Sequence, residues 1–286
     1  MAHPVRKITT TRQVIPLRAL PEKEPGLTVL RWIKRPDGEQ EQVELPLTPE
    51  RFLNPKIGDQ MTQGQRHFET VAEIYSLLKD HFRADPGVVV VGDMKHFLDP
   101  RLPAPGPDIS VTRGVRVKND ARRFSFRVKK EGVRPCLIIE VVSPLDPKLR
   151  QIDLQKKVEV YQSAGIAEYV IVDSVLADLR YRLLGYRLDA ADCYQPIEPD
   201  AEGRLLSETT GLWFQVAPDG DRVLVFEHPS GRRLLNSTEH EEEAKREAEA
   251  RKIAEEKASR EAEARTAAEA ENVRLRAEIE RLRGGA

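Results

Sequence analysis

Pro135-Cys136-Leu137-Ile138-Ile139-Glu140-Val141-Val142-Ser143-Pro144 is an apolar run with one carboxylate in its middle and a proline at each end. Its β-branched residues predict a strand covered on both faces. Burying an unpaired charge there is expensive, so Glu140 needs a partner or a task. A second acid, Asp108 in Pro105-Gly106-Pro107-Asp108, stands at the start of the preceding predicted strand, Pro107 to Val111. Downstream, Asp153 to Ala164 reads as a helix ended by Gly165. Asp153, Lys157 and Tyr161 are spaced four apart on it, so each turns only about 40° from the last and all three face one side.

Two carboxylates and a lysine in this order suit phosphodiester hydrolysis. That reaction needs a metal that polarises the phosphoryl oxygen and generates hydroxide, and hard carboxylate oxygens hold Mg²⁺ or Mn²⁺. Asp108 and Glu140 are the candidate ligands, with the carbonyl of Val141 as a third oxygen. Lys157 is placed to orient the attacking water or to stabilise charge on the phosphoryl oxygens. The plainer alternatives are a turn acid for Asp108 and a surface i,i+4 pair for Asp153 and Lys157. Glu140 resists such a reading because Leu137, Ile138, Ile139, Val141 and Val142 surround it.

Outward from this centre, Gly87 to Gly92 encloses four valines and predicts another buried strand. Gln65 to Phe82 has apolar residues at helical spacing. Its polar residues His67, Glu69 and Glu73 are supporting candidates for the site, weighed against a satisfied core histidine and a solvated glutamate face. Arg113 to Arg134 is rich in Arg and Lys and reads as an insertion or a loop over the site. Glu168 to Val172, Leu179 to Leu188, Leu212 to Val216 and Arg222 to Glu227 predict further strands. Upstream, Leu27 to Lys34 and Gln40 to Leu45 flank a turn at 35–38 and predict a β-hairpin. Residues 1 to 25 are polar and proline-spotted, with a short strand expected around Val14 to Leu17.

Thr238 to Arg283 contains neither Pro nor Gly and is dominated by Ala, Glu, Lys and Arg, which predicts one long helix. Asn272, Leu275, Ile279 and Leu282 give only its last third a zipper-like seam, so a homodimer or other oligomer competes with a solvated charged helix. The expected division is 1–50 as an N-terminal extension with the hairpin, 51–237 as an α/β domain, and 238–283 as the helix.

The net charge is -1 and only two cysteines occur. Neither favours a polybasic nucleic-acid binder or a disulfide framework. No apolar run has the length of a signal peptide or a membrane span, so a cytoplasmic protein is expected.

Taken together, Pro107-Asp108-Ile109-Ser110-Val111, Ile138-Ile139-Glu140-Val141-Val142-Ser143-Pro144, Asp153, Lys157, Tyr161, Glu168-Tyr169 and Val172-Asp173 resemble the Uma-type restriction endonuclease family of the PD-(D/E)XK nuclease superfamily. The resemblance runs roughly from His67 to Glu239. It implies a restriction-endonuclease-like fold, a mixed central sheet flanked by helices, and Mg²⁺-dependent cleavage of DNA. It matches Asp108 and Glu140 to metal-binding acids, Lys157 to a lysine carried on the following helix, and His67 to a histidine at the start of the first helix. The superfamily pattern places its lysine two residues after the glutamate, where this chain has Val142. The competing function is a non-catalytic DNA-binding or assembly module that oligomerises or recruits a partner through the C-terminal helix.

Overall fold

A computed structural model describes residues 28–36, 38–56, 60–61, 64–115, 123–142, 147–174 and 180–283. The expected strand at Val14 to Leu17 and the ends of expected strands at Leu27 and Leu179 lie outside the described residues. So do Asp37 of the hairpin turn and 116–122 of the basic segment. The described chain opens with the antiparallel hairpin β1 (Thr28–Lys34) and β2 (Gln40–Pro46). A short helix α1 (Pro49–Leu53) follows, its N-terminus capped by the Thr48 hydroxyl, which accepts from the Arg51 N–H at 3.2 Å. Strand β3 (Gln60–Met61) pairs with β1, and α2 (Gln65–His81) follows as the expected amphipathic helix.

The remaining strands are β4 (Val88–Gly92), β5 (Lys95–Phe97), β6 (Ile109–Arg113), β7 (Ser125–Arg127), β8 (Leu137–Val141), β9 (Glu168–Ser174), β10 (Tyr181–Leu188), β11 (Tyr194–Pro196), β12 (Leu205–Ser207), β13 (Leu212–Val216) and β14 (Val223–Glu227). Helix α3 (Val128–Glu131) follows β7. Between β8 and β9 the chain runs through α4 (Pro147–Gln151), a π-helical turn (Ile152–Lys156) and α5 (Lys157–Ser163). Six strands form the central sheet in the order β11-β10-β9-β8-β6-β4. Only β8 and β9 are parallel, joined by the helical crossover that parallel pairing requires. All other neighbours are antiparallel, so the fold is α/β with a mixed sheet, flanked by helices. A three-stranded sheet β12-β13-β14 packs on it, and β5 with β7 forms a separate parallel pair.

The period-two alternation of β8 explains where the core divides. Ile139 and Val141 face Ile74 and Leu78 of α2 together with Phe214 and Val225 of the small sheet. Ile138 and Val142 face Val160 and Tyr161 of α5. Glu140 shares the second face, so the strand delivers its carboxylate beneath the helix rather than into solvent. The sequence placed Asp108 and Glu140 on consecutive strands. The structure corrects this: Asp108 immediately precedes β6, and β7 intervenes in the chain. In space β6 and β8 are neighbours, which restores the proximity.

Helix α6 (Ser237–Arg283) begins with a reciprocal cap: Glu239 N–H donates to Asn236 Oδ1 at 2.9 Å, and Asn236 N–H donates to Glu239 Oε2 at 3.0 Å. From Glu241 onward every described side chain is exposed, and i,i+4 pairs such as Arg251–Glu255 and Arg265–Glu269 line the helix. No described helix is long and apolar enough to cross a membrane.

Candidate active site

The site forms at one end of the central sheet from four segments. Asp108 arrives from the loop ahead of β6, and the β8 backbone anchors it: the Val141 N–H donates to Asp108 Oδ2 at 2.8 Å. From α2, His67 brings Nε2 to 3.4 Å from Asp108 Oδ1. Glu140 lies 2% exposed beneath the helical crossover. Its Oε1 accepts from the Tyr161 hydroxyl at 2.7 Å and lies 3.0 Å from Lys157 Nζ. The same ammonium lies 2.7 Å from Asp153 Oδ1. Lys157, only 3% exposed, therefore bridges two buried carboxylates and is no surface partner. The ring of Phe52 on α1 closes over it, with its centroid 4.6 Å from Nζ.

The π-helical turn helps to set this geometry. Its wider winding carries Asp153, and Lys157 follows at the first position of α5. The Tyr169 hydroxyl donates to the Asp153 carbonyl at 3.0 Å and ties this turn to the sheet. On the preceding turn, Arg150 makes a two-pronged ion pair with the buried Asp173 of β9, at 2.9 and 2.6 Å.

Three carboxylates, Asp108, Glu140 and Asp153, thus face one lysine, with His67 alongside. Burial pushes the Glu140 carboxyl up; Lys157 opposes this, Asp108 and Asp153 reinforce it, and the result is about 8. Asp153 is also raised by burial, against the pull of Lys157. Burial would likewise raise Asp108, but His67, Lys157 and the Val141 N–H outweigh it and hold this acid low. His67 is disfavoured as a cation by burial, yet Asp108 overcomes this and lifts it above the ordinary histidine value. Glu140 and Asp153 are thus pushed up while Asp108 is held down, a separation characteristic of reactive sites.

The surplus of negative charge bears on metal binding. Nδ1 of His67 is buried without a hydrogen-bond partner, and its Nε2 has only Asp108 Oδ1, at 3.4 Å. Among the described residues no three His, Cys, Asp or Glu side chains are placed to close on one ion. Asp108 and Glu140 are nevertheless hard oxygen donors in an over-acidic pocket, and their chemistry fits Mg²⁺ or Mn²⁺ with carbonyl and water oxygens making up the rest.

Glu69 does not join the site. It stands exposed and accepts from Gln65 Nε2 at 2.8 Å, because two helical steps from His67 rotate it by about 200°. Glu73 instead accepts from Asn236 Nδ2 at 3.3 Å, near the start of α6. Of the basic segment, Arg123 is committed to the buried Glu131 at 3.1 Å. Phe52 and the Arg150–Asp173 pair were missed by sequence reasoning. The only available signal was the Val172-Asp173 pair, and nothing in it identified Arg150 as a partner.

A different buried acid shows what a structural carboxylate looks like here. Glu168, fully buried at the start of β9, accepts from Ser207 Oγ at 2.5 Å, Thr209 Oγ1 at 2.6 Å, the Glu208 and Thr209 N–H groups at 2.9 and 3.3 Å, and Arg187 Nε at 2.9 Å. Its negative charge is met by five donors, whereas the Glu140 pocket has more acids than cations.

The sequence model of the Uma2 family, described as "Putative restriction endonuclease", matches residues 51–247. A crystal structure described as a "putative nuclease belonging to DUF820" from Anabaena variabilis is 19% identical, with 67% of this chain and 86% of that chain covered at a TM-score of 0.39. No curated protein matches the sequence.

Proposed function

This chain belongs to the Uma2 family, and we propose that it is a divalent-metal-dependent endonuclease hydrolysing DNA phosphodiester bonds at the Asp108–Glu140–Lys157 cluster. The observation that carries the reading is the convergence of those three groups, from a loop, a strand and a helix, in one buried pocket. Nothing in packing alone calls for three acids and a lysine to be buried together.

In this reading Asp108, Glu140 and the Val141 carbonyl would hold Mg²⁺ or Mn²⁺, which would supply Lewis acidity toward the phosphoryl group and a nucleophile at neutral pH. Lys157 stays charged, because Asp153 and Glu140 outweigh the cost of its burial. Its ammonium, fixed from two sides, stabilises charge developing on the phosphoryl oxygens. Tyr161 remains a neutral donor and fixes the Glu140 rotamer. His67 keeps Asp108 ionised across the neutral range. The two free cysteines suit a reducing cytoplasm.

The test is relaxation or linearisation of supercoiled plasmid with Mg²⁺ or Mn²⁺. Lys157→Met keeps the aliphatic stem and removes the charge; its cleavage rate should fall by about 100-fold or more, as on loss of an electrostatic stabiliser. A folded Lys157→Met protein that cuts at the wild-type rate would remove the lysine from the mechanism. Inert wild-type protein that still bound DNA without a divalent ion would favour the non-catalytic module.

We further propose that α6 forms a homodimer. Leu275 and Ile279, four residues apart on one face of an otherwise charged helix, are exposed large apolar side chains of the kind a coiled-coil partner covers. Sedimentation of the full chain should give a dimer, and the double variant Leu275→Lys with Ile279→Lys a monomer. Identical masses for the two proteins would dismiss the helix as the contact.

A further inference from the structure

Beside Asp108 lies a groove of about 380 Å³ bounded by Phe68, Val71, Ala72 and Tyr75 of α2, with Gly92 and Asp93 on its other side. Phe68 is 67% exposed although its neighbour His67 is buried in the site. The one-residue step around α2 accounts for this: His67 points at Asp108, while Phe68 opens onto the groove.

The floor is tied to the site by the main chain. The Asp93 N–H donates to the Asp108 carbonyl at 3.1 Å, and Asp93 sits at φ 44°, a conformation uncommon outside glycine. A Cβ added at Gly92 would come within 3.2 Å of that carbonyl and 3.4 Å of the Tyr75 ring, so glycine permits the close packing of ring against loop. At the far end, the Lys79 ammonium lies 5.2 Å from the Tyr75 ring centre.

Building on the proposed nuclease activity, we infer that this groove receives an unpaired nucleobase next to the scissile phosphate, with Phe68 as the stacking surface. The charge pattern selects the occupant. Asp93 at the near edge repels a phosphate but accepts a hydrogen bond from a base amino group. Apolar walls and an exposed aromatic ring suit the flat, neutral face of a base. Lys79 is placed for the next phosphate along the strand. A base inside a duplex must first be unstacked and flipped out at an energetic cost, so the preferred substrate class is single-stranded DNA or DNA unpaired at the cut.

The experiment compares the full-length wild type with Phe68→Ala and Phe68→Trp. It uses labelled single-stranded, fully paired and bubble-containing oligonucleotides, plus a single strand carrying abasic sites. Anisotropy without Mg²⁺ gives binding, and cleavage is followed with Mg²⁺. Wild type should prefer the unpaired substrates, and Phe68→Ala should lose about tenfold to a hundredfold on them, while Phe68→Trp retains the preference. Abasic strands should bind wild type about as weakly as intact strands bind Phe68→Ala.

Wild type that cuts paired DNA equally well, with Phe68→Ala indistinguishable from it, overturns this inference and leaves the nuclease reading standing. Wild type that neither binds nor cuts any of these DNAs overturns both. Since Phe68 is exposed, Phe68→Ala should keep the wild-type melting temperature; a variant that loses binding of all DNAs alike, with an unchanged melt, also overturns the stacking role.

Discussion

Glu140→Gln should abolish cleavage and, in metal-free protein, raise the melting temperature. The substitution keeps the shape and the acceptor that Tyr161 and Lys157 use, but it removes one negative charge from a buried group of three acids and one lysine. Loss of rate should be about 100-fold or more. The gain in stability should be on the order of 1–3 kcal/mol near pH 8, or several degrees in melting temperature.

The pH dependence carries the same signature. Folding raises the Glu140 carboxyl from an ordinary value near 4.5 to about 8. Between these limits the folded protein binds more protons here than the unfolded chain does. The contribution is therefore complete below about pH 4.5 and is lost as pH rises through about 8. Wild type should weaken relative to Glu140→Gln over this window, while Asp108, held low, acts only in more acidic solution. Mg²⁺ should raise the melting temperature of wild type and leave the variant nearly unmoved. Differential scanning calorimetry at pH 5.5 and pH 8, with and without Mg²⁺, checks all of this. A variant less stable than wild type at pH 8 would sink the charge-surplus account.

The second large effect belongs to Glu168, and its sign is opposite. Glu168→Ala removes the acceptor shared by Arg187, two hydroxyls and two main-chain N–H groups. Breaking a buried charge pair and its hydrogen bonds costs about 3–5 kcal/mol. This would lower the melting temperature by roughly 10 °C or more for a domain of this size. Binding of DNA at temperatures where the variant remains folded should be little changed, because the clamp joins β9 to 207–209 and not to the Asp108 pocket. A Glu168→Ala protein melting within two or three degrees (~2–3 °C) of wild type would contradict this role.

The contrast marks what a linear sequence discloses. Glu140 stood out because it interrupts an unbroken apolar strand, and the four-residue spacing of Asp153, Lys157 and Tyr161 was visible as a shared helix face. Helix α2 and strands β4, β6, β8 and β9 were readable for similar reasons, through apolar periodicity and proline or glycine boundaries. Glu168 looked like part of a motif, with nothing to show that four of its five donors lie 39 to 41 residues downstream. Helix phase decided Glu69 against the site, and a three-residue pair such as β5 with β7 is too short to leave a periodic trace. Phe52 reaches Lys157 from before α2, a contact set by tertiary packing alone.

The lysine's place on the crossover has a mechanical consequence. Asp108 and Glu140 are fastened to the central sheet, whereas Lys157 travels with the helical segment, whose outer turn is clasped to the sheet by Arg150 and Asp173. Val142, in the position nearer Glu140 along the strand, is already packed into the core. The site is thus divided between a fixed base and a detachable arm. A slight tilt of that arm would draw the ammonium away from Asp108 and Glu140, with Asp153 moving alongside it, without disturbing a single strand.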